Sequence, residues 1–304
     1  MTQLARSGAP HVKERSYLWY LLPGFLGFVV IVVIPLLMAT GISFTEWPGI
    51  GTPTFVGFAN YEALFADSAF WASFQHSVAF IVAMAVVPTA VGLVLASALF
   101  DYIAPRFGEK TSSAFRAAFY LPQILPIAVA GVLFGWILAP DGVLNQVLKS
   151  VGLSGLTHDW LGDSATALPS VMVVVFWLQI GYTLVIFMAG LSRVDPALYE
   201  AAELDGATWP QRFRHVTLAQ LRPEIFVVLL TTTIAGLKVF GPVYIMTAGG
   251  PDGATSVPAY LSYSNFFITS QVGYGAAVAT ILTVIVTIVA LIALRYQDRT
   301  QGQD

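Results

Sequence analysis

Residues 192–224 read SRVDPALYEAAELDGATWPQRFRHVTLAQLRPE, the most charged stretch of a sequence that is otherwise strongly apolar. Asp195 followed by Pro196 is a helix start. The aspartate offers an N-cap acceptor, and the proline's fixed φ and missing N–H suit the first turn. Leu198, Ala201, Ala202 and Leu204 give the short helix that follows an apolar stripe. Gly206 falls at its C′ position, where a left-handed backbone is cheap only for glycine. Thr208 and Gln211 have the spacing of a capping box for a second helix, with Trp209, Phe213 and Val216 on one face. Pro223 marks the end of that helix. The segment therefore predicts two short helices hinged at a glycine. By periodicity alone such an elbow could lie on lipid headgroups. Anionic lipid would repel Glu200, Glu203 and Asp205, which favours docking against another protein instead.

On both sides of this elbow the chain is built for a bilayer. Of 304 residues, 57% are hydrophobic and only 10% charged, against about 25% charged in a soluble domain; mean hydropathy is +0.75. Six stretches, Tyr17–Ile42, Ser73–Phe100, Ala114–Leu138, Leu168–Leu191, Ile225–Tyr244 and Gly275–Leu294, are long enough for a hydrocarbon core of about 30 Å. They predict an all-α polytopic membrane protein: a tail over 1–16, six transmembrane helices within 17–294, and a tail over 295–304. The elbow joins spans four and five. The first span is longer than the apolar region of a cleaved signal peptide, about 7–15 residues. Pro23, Pro35, Pro88, Pro122 and Pro126 predict kinks, which membrane helices tolerate when neighbours satisfy the freed carbonyls.

Charge placement orients these spans. Arg6, Lys13 and Arg15, then Arg106, Lys110 and Arg116, then Arg193, Arg212, Arg214 and Arg222, then Arg295 and Arg299 fall on one side, 12 of the 14 basic residues. The other side has Lys149 together with Glu46, Glu62, Asp67, Asp141, Asp159, Asp163 and Asp252. The positive-inside rule then puts both termini in the cytoplasm. Tyr17, Trp19, Trp47, Trp71 and Trp136 near span ends fit an interfacial aromatic belt. With no cysteine, disulfides and thiol chemistry are excluded. A net charge of −3 gives no footing for nucleic acid. His76, His158 and His215 lack metal-ligand spacing, so no metal site is expected. The sequence contains no phosphate-binding G-x-x-x-x-G-K-[ST] loop, and no catalytic residue is expected either.

EAAELDGATWPQRFRHVTLAQLRP resembles the EAA loop of binding-protein-dependent ABC importer permeases: Glu200, Ala201, Ala202 and Gly206 match its E-A-A-x-x-x-G, and Val216-Thr217-Leu218 stand for its I-x-L. Ala219 replaces the usual proline after it. The resemblance covers roughly residues 15–296 and is closest to the carbohydrate-uptake, maltose-transporter-type permeases. It is carried also by Phe55–Phe80 (FVGFANYEALFADSAFWASFQHSVAF), Arg116–Leu148 and the turn YIMTAGGPDGAT at Tyr244–Thr255. The first outer loop is short, so the large extra domain of the maltose permease is not expected. The resemblance implies a prokaryotic inner-membrane subunit that forms half of a sugar pathway beside a second permease, as a heterodimer. It further implies two ATP-binding subunits, which use ATP and Mg, and an extracytoplasmic solute-binding protein. Glu200, Ala201, Ala202, Asp205 and Gly206 would contact the ATPase, and the chain itself would be a conduit and transducer rather than an enzyme.

Polar groups at membrane depth point to a solute path. Lys238 lies 13 residues into the fifth span, roughly 20 Å from its cytoplasmic end, where a lysine costs about 2.5–3.5 kcal/mol. The resemblance places it where the family has a polar sugar-contacting residue. Gly236, Phe240, Gly241 and Tyr244 surround it, offering space and aromatic faces for a sugar ring. In span four, Gln179 and Tyr182, with Trp177 and Thr183, form a second polar–aromatic cluster that could equally be interhelical packing. Lys238 could instead pair with an acid of the partner permease. Glycerol-3-phosphate or a related anionic polyol ester is an alternative solute. A secondary transporter is disfavoured because no span contains an acidic coupling residue.

Overall fold

The computed structural model describes residues 16–301, most of them helical. Arg6, Lys13 and Arg15 of the expected N-terminal tail, and residues 302–304, lie outside the described residues. Among the described residues, four helices are long and apolar enough to cross a membrane: Trp19–Ile42, Ser68–Phe107, Ser164–Leu191 and Val272–Gln297. Two further pairs, Glu109–Ile124 with Ile127–Ile137 and Trp209–Gln220 with Arg222–Leu237, qualify together but are bent by 93° and 71°. The count is six if each bent pair is one span.

The expected span boundaries shift in three places, each for a backbone reason. The third stretch breaks at Leu125–Pro126, both extended at ψ 129° and 135°. Pro126 disfavours helix at the residue before it, so the expected kink becomes a right-angle turn. The fifth stretch stops at Leu237 rather than Tyr244, with Lys238 as its C-cap, and Gly241–Met246 forms a separate short helix. The second elbow helix ends before Pro223: the break lies at Leu221, and Pro223 sits in the first turn of the next helix.

Pro23 and Pro122, where kinks are expected, lie inside α-helices, whereas three other prolines follow widened turns. π-helical segments Val29–Val33, Val82–Val86 and Leu99–Ile103 each precede a proline, at Pro35, Pro88 and Pro105, in the first turn of the next α-helical segment. Shifting the ladder by one residue bypasses the N–H that proline lacks and moves the carbonyl its ring would strike. Asp67, Asp163 and Asp195 cap their helices by accepting from the N–H two residues on, at 2.8–2.9 Å.

Small residues set the packing of the bundle. A side chain at Gly92 would meet Thr183, one at Gly181 the backbone of Phe119 and Tyr120, and one at Gly236 the backbone of Ile81. Backbones in such contacts approach closely, as apolar helices do where no water is expelled to drive association. One core cluster joins Leu93, Ala96, Leu184, Phe187, Leu191, Leu221 and Val228. A second joins Phe80, Val171, Val175, Val239, Val243 and Val257. The helix Trp19–Ile42 lies outside both cores, against the final helix, and buries none of its residues between Val29 and Ile42. A two-residue hairpin pairs Thr45 with Phe55 and Glu46 with Thr54 just after it.

Candidate functional site

The elbow forms as its residues dictate. Asp195 Oδ1 accepts from the Ala197 N–H at 2.9 Å and starts the helix Pro196–Leu204. That helix closes in a full Schellman turn. Gly206 N donates to Glu203 O at 3.0 Å, Ala207 N donates to Ala202 O at 2.9 Å, and Gly206 sits at φ +73°. Thr208 N donates to Gln211 Oε1 at 2.7 Å, the return half of the expected capping box. The second helix, Trp209–Gln220, is widened to π geometry over Phe213–Thr217. Arg212 pairs with Glu203 across the hinge, and Tyr199 shares a 3.0 Å hydrogen bond with Thr217. Burial pushes the Tyr199 phenol above its usual range, against the lowering effect of that hydrogen bond. Arg193 and Glu224 form an ion pair that ties together the two ends of the 192–224 segment.

The two faces of the elbow differ. Trp209 stacks on Phe213 with centroids 5.3 Å apart, and both turn toward the helix bundle. Glu200, Ala201, Asp205 and Gly206 are exposed, and Ala202 is half-buried. Leu204 among them is 89% exposed. The outward face of the elbow therefore presents a large apolar side chain among small and acidic residues.

The second group of expected residues gathers around the break after Leu237. Phe240 stacks on Tyr244 at 5.2 Å and 14°, and Tyr263 meets both edge-on at 5.3 and 5.1 Å. Tyr260 lies 6.5 Å from Phe240. Tyr260 and Tyr263 escaped sequence reasoning because their helix, Pro258–Phe267, is too short to read as a span. Lys238 is exposed; its backbone N–H donates to Ile234 O at 3.1 Å, and its side chain has no hydrogen bond or ion pair among the described residues. As a C-cap it meets the negative end of the helix dipole, worth about 0.3–1 kcal/mol, which offsets part of the cost of placing it there. The turn at 247–255 backs this group. A side chain at Gly249 would strike the Tyr260 ring, Thr247 and Thr255 share a 2.7 Å hydrogen bond, and His76 Nδ1 lies 2.7 Å from Ser256 O.

Gln179 and Tyr182 do not join this group directly. Gln179 faces Gln123, Leu125 and Ile127 across a cleft of about 210 Å³ at the break in the third stretch. Ile127 lies between the two groups, since a side chain at Gly241 would approach it at 3.1 Å. Tyr182 pairs at 3.2 Å with Thr231 on the helix Arg222–Leu237, and Trp177 meets Phe134 edge-on at 5.2 Å. Thr183 is buried and donates to Pro88 O at 3.0 Å, an interhelical bond. Among the described residues there is no cluster of His, Asp and Glu able to hold a metal ion.

Residues 106–302 match the family model described as binding-protein-dependent transport system inner membrane component. The chain belongs to this family. It is 34% identical over 279 residues to the "Probable ABC transporter permease protein YurN" of Bacillus subtilis (strain 168), covering 91% of this chain and 94% of that one. It is 30% identical over 271 residues to the "Probable starch degradation products transport system permease protein AmyD" of Thermoanaerobacterium thermosulfurigenes, covering 88% and 90%. Its fold matches a chain in the crystal structure of a bacterial ABC transporter involved in import of the acidic polysaccharide alginate. That match has a TM-score of 0.80, covers 94% of this chain and 96% of that one, and has 22% sequence identity. An inner membrane component of such a transport system is a permease.

Proposed function

We propose that this permease is one half of an ATP-driven, binding-protein-dependent carbohydrate importer. The chain crosses the membrane six times as one transmembrane domain, 17–294, with its tails 1–16 and 295–304 in the cytoplasm. Among the described residues, Arg106, Lys110, Arg193, Arg212, Arg214, Arg222 and Arg295 on one side support that orientation. A second, different permease chain completes the path, and an extracytoplasmic binding protein delivers the sugar. Two ATPase subunits use ATP and Mg, which this chain does not bind.

The elbow docks in the ATPase through Glu200, Ala201, Ala202, Asp205 and Gly206. The exposed Leu204 at a fully formed Schellman turn carries this reading, because a rigid hinge with an uncovered leucine suits transmission of a rigid-body movement. Lys238, Phe240 and Tyr244 line the path, with Gln179 at the cleft beside it and Tyr182 behind them at Thr231. Stacked aromatic rings suit the apolar face of a sugar. The ammonium of Lys238, without a partner among the described residues, favours a solute bearing an anionic group, such as an acidic sugar or glycerol-3-phosphate, within the same scheme. The deciding experiment is reconstitution of the permease with its ATPase and binding protein in liposomes. Solute uptake that depends on both ATP and the binding protein is expected. Uptake by this chain alone, without ATP, would overturn the proposal in favour of a secondary carrier.

A further inference from the structure

The inner side of the elbow rests on three consecutive residues of the helix Ser68–Phe107. The Tyr199 ring lies 6.1 Å from Phe100 and the Trp209 ring 6.1 Å from Tyr102. Between them, Asp101 Oδ2 accepts two hydrogen bonds at 2.9 Å, from Trp209 Nε1 and from Ser97 Oγ. These three residues lie in the π-helical turn Leu99–Ile103, a geometry often found at functional positions. The Trp209 contact spans 108 residues of sequence. Among the described residues, the other side-chain hydrogen bonds of the 192–220 segment stay within it, reach Glu224, or, for Ser192 Oγ, reach back to Ala189 O in the helix just before it. The Asp101–Trp209 bond therefore joins the elbow to a helix with which it shares no direct chain connection.

An aspartate that forms no ion pair among the described residues is a costly choice at the end of an apolar helix if packing were its only task. Here its oxygen is spent on fixing the indole whose ring also stacks on Phe213. Indole N–H to carboxylate is a charge-assisted bond with a fixed direction, so it sets the angle of the second elbow helix as well as holding it down.

We infer that Asp101 is a positioning residue for coupling: through Trp209 it makes the helix Ser68–Phe107 move with the elbow, together with the helices that the elbow connects. This rests on the elbow being the coupling element. The test uses the complete transporter in liposomes, measuring solute transported per ATP hydrolysed and copurification of the ATPase subunits. Asp101→Ala and Trp209→Phe, which keeps the ring stack, are each expected to lower that ratio about tenfold, as for loss of a hydrogen bond to a charged group. Copurification should be unchanged. Asp101→Asn retains an acceptor without the charge and should lower the ratio only about threefold, since a neutral bond is about half as strong, and the double variant should be no worse than either single one. Three results would overturn the inference: a parental ratio in Asp101→Ala and Trp209→Phe, a defect in Asp101→Asn equal to that of Asp101→Ala, or loss of ATPase copurification in Trp209→Phe. Gly206→Val in the same assay separates the two levels. If it uncouples while the Asp101 and Trp209 variants do not, only the positioning role fails. If it transports normally, the coupling role of the elbow fails first.

Discussion

Replacing Gly206 by valine isolates what the hinge contributes, because the site leaves the new side chain room. No atom of the described residues lies within 4 Å of where a Cβ would sit, so no clash within the chain enters the result, and ATPase copurification reports separately on the docked face. The cost is carried by the backbone, which holds Gly206 at φ +73°. A residue with a Cβ pays roughly 1–2 kcal/mol there, and a β-branched one sits at the upper end or beyond. At about 1.4 kcal/mol per tenfold, the bent elbow loses roughly 5- to 30-fold in population against unbent alternatives. Opening it also releases the bonds from Gly206 N to Glu203 O and from Ala207 N to Ala202 O. The assay is simultaneous uptake and ATP hydrolysis by the reconstituted transporter. Gly206→Val should insert normally yet lower transport and transport-linked hydrolysis by about that factor, whereas Gly206→Asn, which tolerates the left-handed region, should remain close to the parent. Normal coupled transport in the valine variant, or an equal defect in the asparagine variant, would refute the reasoning.

Other substitutions probe the remaining parts. Lys238→Ala should lower uptake of an anionic solute about tenfold, the order expected for a hydrogen bond to a charged group. It should leave ATPase assembly intact and change uptake of a neutral sugar far less; uptake assays with paired solutes read this directly. Gly181→Val would drive a side chain into Phe119 O, 2.4 Å from the ideal Cβ position. It should destabilise the protein by about 1–3 kcal/mol in thermal unfolding in detergent, while Gly24→Ala, with nothing within 4 Å, should change little. Arg193→Ala would strip the partner from Glu224, whose side chain is only 14% exposed. A loss of about 1–3 kcal/mol is expected in the same measurement, largely recovered by adding Glu224→Gln.

The elbow was legible because its signals are local and chemical. Asp195-Pro196, Gly206 and Thr208 with Gln211 each act within four residues, so the order of the letters nearly determines the turn. The contacts that seat the elbow are of another kind. Nothing in the sequence joins Trp209 to Asp101, which is 108 residues away, or Tyr199 to Phe100. In the same way, Tyr260 and Tyr263 come to Phe240 and Tyr244 only because the chain turns back at 247–255.

The breaks in the third and fifth stretches show a sharper limit. Hydropathy reports side chains, and the side chains on both sides of Leu125–Pro126 and of Lys238–Phe240 remain apolar, so both stretches read as continuous spans. Within a bilayer, however, interrupting a helix frees backbone groups that must find partners in protein or a watered cavity. Both interruptions have a polar side chain beside them: Gln123 and Gln179 on the cleft at the first, Lys238 at the cap of the second. Those few polar letters inside otherwise apolar stretches were therefore the readable trace of the breaks. The stranded lysine that suggested a solute path and the helix end that the hydropathy pattern missed are one feature. The helix stops there and presents its negative end to the lysine, which offsets part of the cost of a cation in an apolar stretch.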